Sequence, residues 1–77
     1  MSDPIFAPVK VTRLEIDALV GVLDYYIPDL HAEIGRTEQR ALRERLRAQE
    51  ARLTGLRQRL LESRVELADE EAELPAV

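Results

Sequence analysis

The sequence predicts an all-α fold: an antiparallel two-helix hairpin of coiled-coil character that dimerises into a four-helix bundle. Three observations carry this expectation. Ile16, Val20, Leu23, Ile27, Leu30 and Ile34 recur at alternating spacings of four and three. Leu46, Leu53, Leu60, Leu67 and Leu74 recur every seven residues. Between the two series stands "GRT", Gly35 to Thr37, a glycine and a threonine where a helix would stop and another would start. Alternating steps of four and three keep apolar side chains on one line of a helix, the seam of a coiled coil.

Residues 1–11 hold Pro4 and Pro8 among apolar neighbours and read as an extended arm. The first helix is expected over about 13–34. "TRLE" places Thr12 at its N-cap and Glu15 three residues inside, a capping box in which each side chain satisfies the other's backbone N–H. Its seam puts Ile16, Leu23 and Leu30 at d and Val20, Ile27 and Ile34 at a. The pattern continues through Pro28, which predicts a kink there, because proline removes one hydrogen bond and crowds the preceding turn. Gly35 is expected at the C′ position and Thr37 at the next N-cap, making 35–37 a tight turn. The second helix is expected over about 38–64, with the leucine heptad at a and Leu42, Gln49, Leu56 and Ser63 at d. Residues 65–77 carry five acids and no base and read as a fraying acidic tail.

In an antiparallel pair, a faces a and d faces d. A tight turn then sets Leu30 against Leu42, Ile27 against Leu46, Leu23 against Gln49, Val20 against Leu53 and Ile16 against Leu56. On the flanks it brings Asp17 to Arg57, Tyr26 to Arg45 and His31 to Arg43. It also opposes Asp24 to Glu50 and Glu33 to Glu38, which repel. Exposed ion pairs contribute only about 0–1 kcal/mol each, so the apolar seam is given the decision.

A surplus apolar stripe, Leu14, Ala18, Val22 and Tyr25, lies on the first helix away from the seam. A solvated face would not carry it, and it is the candidate self-association surface. The alternative cover is the N-terminal arm folding back through Ile5, Phe6 and Val9. Size favours a second copy: 77 residues bury little core, and no cysteine is present to supply a disulfide staple. The absence of cysteine also suits a reducing compartment. No run is apolar enough to span a bilayer and "MSDPIFAPVK" lacks a signal-peptide pattern, so the expected location is cytoplasmic with no membrane partner.

Residues 23–60, "LDYYIPDLHAEIGRTEQRALRERLRAQEARLTGLRQRL", resemble a family of short uncharacterised bacterial two-helix proteins. Their pattern is a leucine-rich helix, then "YLxDLRxEIxxTD", then "RExLKxREExLxxLLxxL". The matching positions are Tyr26, Asp29, Leu30, Glu33, Ile34, Thr37, Arg43, Glu44, Leu46 and Leu53; Pro28, His31 and Gly35 depart from it. The resemblance implies a small hairpin-forming protein and brings no activity with it.

Helical di-iron centres use Glu-x-x-His, and three residues before the single His31 stands Pro28. No metal or other cofactor is therefore expected. The chain has no cysteine, and Ser2 and Ser63 have no plausible histidine neighbour for nucleophilic catalysis. The three glycines are isolated, so no phosphate loop is formed. An enzyme is not expected.

Charge is the remaining lead. Residues 36–64 carry nine arginines and four glutamates, a net +5 inside a chain of net -4. Arg36, Arg40, Arg43 and Arg47 fall on one helical face by their spacings of four, three and four, a basic flank for an acidic protein partner, and Arg45, Arg52 and Arg59 line the other flank. The same face could neutralise phosphates, so a small nucleic-acid-associated protein is the alternative. Overall acidity and the lack of stacking aromatics weigh against it. The expected function is a non-catalytic interaction or adaptor module that self-associates and binds a protein partner.

Overall fold

The computed structural model describes residues 5, 7 and 9–73, the last five of these as backbone only. Two helices, α1 (Arg13–Arg36) and α2 (Arg40–Glu73), pack side by side, and no strand occurs among the described residues. The molecule is only 13 Å thick, about the diameter of one helix with its side chains. Among the described residues one seam therefore forms the core.

The start of α1 follows from Thr12. Its extended backbone (φ -82°, ψ 163°) turns its hydroxyl onto the Glu15 N–H at 3.1 Å, while the Thr12 N–H donates to Glu15 Oε1 at 2.8 Å. The capping box is complete. The Thr12 backbone N–H, and secondarily its hydroxyl, hold the Glu15 carboxyl below its ordinary value of 4.5. A depressed carboxyl contributes stability above its unfolded pKa and loses it as pH falls through the folded one. The wild-type hairpin should thus lose part of its stability on acidification below about pH 4.5, through this group. Thr12→Ala should lower stability by about 1 kcal/mol at neutral pH yet keep most of that acid limb, because the backbone N–H that chiefly holds Glu15 remains; urea midpoints across pH read both.

The end of α1 departs from expectation. Gly35 is helical, no described glycine has positive φ, and the helix runs on to Arg36. Thr37 is not the N-cap of α2 but the C-cap of α1 (φ -84°, ψ 121°). Its N–H donates to the Ile34 carbonyl at 3.3 Å and its hydroxyl donates to the Glu33 carbonyl at 2.7 Å. Two of the last carbonyls of the helix are thereby satisfied without a left-handed glycine. The turn is 37–39 rather than 35–37, and α2 opens with the Arg43 N–H on the Gln39 carbonyl at 2.9 Å. A methyl group added at Gly35 would meet no atom within 4 Å. Gly35→Ala should therefore raise stability by about 0.5–1 kcal/mol in thermal or urea unfolding; a loss would mean that the left-handed cap exists after all.

α1 passes unbroken through Pro28. α2 continues well past residue 64, through Leu67 and on to Glu73, so the acidic segment up to that point is helix. Residues 74–77 of the expected tail lie outside the described residues, as do Pro4, Phe6 and Pro8 of the arm.

The core comprises Ile16, Val20, Leu23 and Leu60, with Val11, Ile27, Leu53, Leu56, Leu61 and Leu67 packed against them. Leu30 and Ile34 are buried toward the closed end. The seam letters hold, but the register differs by one heptad. Asp17 binds Arg64 at 3.0 Å, Asp24 binds Arg57 at 2.5 Å and His31 meets Glu50 at 2.9 Å. Each partner stands seven residues further along α2 than a tight turn sets it. Tyr26 likewise accepts from Gln49 Nε2 at 3.3 Å rather than facing Arg45. These pairs put Ile27 level with Leu53, Leu23 with Leu56 and Val20 with Leu60.

A slide of seven residues preserves every a and d letter, so the seam alone cannot distinguish the two registers. The flanks can. The observed register replaces the Asp24–Glu50 clash by an Asp24–Arg57 ion pair and a His31–Glu50 hydrogen bond, and brings Leu60 and Leu67 into the core; Leu42 is released from the seam and is 38% exposed. Asp24→Arg should destabilise the hairpin by roughly 1 kcal/mol, and adding Arg57→Asp should restore most of the loss in a double-mutant cycle. A tight-turn register predicts no coupling between these two positions.

Candidate interaction surfaces

The outer face of α1 is the first candidate. Leu14 is 80% exposed, Val22 63% and Tyr25 77%, and Ala18 is exposed with them. The spacings from 14 to 18, 18 to 22 and 18 to 25 set all four on one side of the helix, opposite the seam. Gly21 lies between them, and a methyl group there would meet nothing within 4 Å. Among its described residues the arm leaves this face open: Ile5 is 97% exposed and Val9 74%. Val9, Lys10 and Val11 instead line a shallow groove with Ile16, Ser63, Glu66 and Leu67 at the open end of the hairpin. Phe6 lies outside the described residues.

The second candidate, the arginine series, is not one face. Arg36 ends α1 and Arg40 begins α2, with the turn between them, so the spacing of four, three and four is counted across two helices. Arg43 is turned inward. Its Nε and Nη2 donate to the Thr37 carbonyl at 3.0 and 2.7 Å, partly buried, and strap the turn onto α2. Arg40 pairs with Glu44 one turn along at 3.2 Å. Further up α2, Arg57 and Arg64 are committed to Asp24 and Asp17. Among the described residues Arg36, Arg45, Arg47 and Arg52 enter no ion pair, and all four are exposed. Sequence spacing missed the strap because it depends on where the turn falls.

His31 and Glu50 close an open depression at the bend, lined also by Ile34, Gly35, Arg43 and Arg47. It mixes one carboxylate with two guanidinium groups and has no enclosed floor. Among the described residues no group of three His, Cys, Asp or Glu side chains could hold a metal ion. Nor is any helix among the described residues long and apolar enough to cross a membrane. No protein-family model, curated protein or solved structure matches the chain.

Proposed function

We propose that this chain is a non-catalytic helical interaction module that self-associates through the outer face of α1 and presents arginines to an acidic protein partner. One observation carries the reading: a continuous apolar stripe lies uncovered on a molecule one helix thick. Such a stripe on a soluble surface is the mark of a contact. The thin core supports the same view, since a second subunit is one of the means by which so small a core gains stability. The resemblance to short bacterial hairpin proteins is consistent with it and adds no activity. For partner binding, the exposed and unpaired Arg36, Arg45, Arg47 and Arg52 are the cations free to act.

A self-associating protein is stabilised by mass action, so its melting temperature rises with concentration. Circular dichroism melts over a hundredfold concentration range should show that rise; a constant midpoint would contradict self-association. The nucleic-acid reading is favoured only by those same exposed arginines, and it has no stacking platform beside them. Titration of labelled DNA and RNA at low salt tests it. Salt-sensitive binding would replace the protein partner by a nucleic acid, and no binding at low salt would remove that alternative.

A further inference from the structure

We propose that two copies of the hairpin pair antiparallel along α1. Leu14 of each copy then meets Tyr25 of the other, and Ala18, Gly21 and Val22 form the crossing at the centre. This rests on the self-association reading and gives it an orientation.

The order of side-chain sizes along the stripe is the first reason. Large groups stand at its ends, Leu14 and Tyr25, and small ones at its middle, Ala18 and Gly21. Two crossing helices are closest at the crossing and diverge from it. Small residues there allow close approach, and large ones fill the widening gap on either side. The surface beside Gly21 is open, so nothing within the hairpin competes for that space.

Area is the second reason. The chain exposes 6757 Å². A compact monomer of 8.8 kDa exposes about 4,800 Å². The excess of roughly 2,000 Å² per chain exceeds the roughly 800 Å² that each partner contributes to a standard stable interface. A second copy laid on α1 can draw its share from that excess.

Orientation follows from charge. Asp29 lies one turn beyond Tyr25 on the same side of α1, exposed and in no ion pair among the described residues. A parallel pair would set Asp29 against Asp29 beside the apolar contact, and like charges so placed disfavour association. The antiparallel pair carries each Asp29 past the end of the contact, to the level of Lys10 in the second copy. It also opposes the helix dipoles.

The chain has no cysteine, so single replacements give chains with one thiol each. In the antiparallel pair two copies of position 14 stand about 16 Å apart along the axis, too far for a disulfide, while positions 14 and 25 are level. Mixing Leu14→Cys with Tyr25→Cys chains under mild oxidation should yield the mixed cross-linked dimer, with each variant alone cross-linking little. Efficient cross-linking of each variant with itself would establish a parallel pair and overturn the proposal, while leaving self-association standing. No cross-link from variants that light scattering shows to be dimeric would move the contact to another face and also overturn it. Monomeric wild-type chains would end both readings. As an independent variant, Gly21→Leu fills the crossing and favours helix, so the dimer should weaken at least tenfold while the helical signal persists; an unweakened dimer would count against the crossing.

Discussion

Ile16→Ala is expected to unfold the hairpin at micromolar concentration. Ile16 is fully buried and sits among Val20, Leu23 and Leu60. Truncating a buried isoleucine to alanine costs about 2–5 kcal/mol, part from lost burial and part from the cavity left behind. A core in a chain of this size rarely supplies more than about 3–5 kcal/mol, so one such loss consumes most of it. Loss of the 222 nm helical signal or of a cooperative urea transition would register the effect. Leu42→Ala is the control. At 38% exposure and outside the core, Leu42 should cost about 1 kcal/mol or less. In a tight-turn register Leu42 packs against Leu30, and its truncation would be as damaging as that of Ile16.

Val22→Glu is expected to abolish self-association without disturbing the fold of a chain. Val22 is 63% exposed within the hairpin, so a carboxylate there is solvated in the monomer. At the centre of a two-fold contact the same change buries two like charges close together. Removal of a central contact residue commonly costs about 2 kcal/mol or more, and a buried charge adds to that. The dissociation constant should rise about 100-fold or more. Sedimentation equilibrium would report the loss of dimer, and an unchanged far-UV spectrum at low concentration would show that α1 and α2 persist. A Val22→Glu chain as dimeric as the wild type would place the contact elsewhere.

Features written in neighbouring residues were legible in the sequence. The capping box of Thr12 and Glu15 closes within one turn, and the seam from Ile16 to Ile34 is a strict periodicity; both are found in place. The turn was not legible, because its signal was glycine. Glycine disfavours a helix by only about 1 kcal/mol, and Gly35 is absorbed into α1 once Thr37 satisfies the carbonyls of Glu33 and Ile34. The register was hidden for a different reason. A heptad seam is unchanged by a slide of seven, and Asp17, Asp24 and His31, set aside as weak exposed flanks, are the groups that tell the two registers apart. The arginine face failed with the turn, since counting from Arg36 to Arg47 assumed one helix, and Arg43 was needed at home to hold the Thr37 carbonyl. The exposure of Leu14, Val22 and Tyr25 needed only the helical wheel.

Self-association through α1 is the central claim, and molar mass in solution tests it most directly. Light scattering coupled to size exclusion at micromolar concentration should give twice the chain mass of 8.8 kDa for the wild type. The Val22→Glu chain should give the single mass. A wild-type mass of one chain, together with a cooperative unfolding transition at the same concentration, would contradict the account.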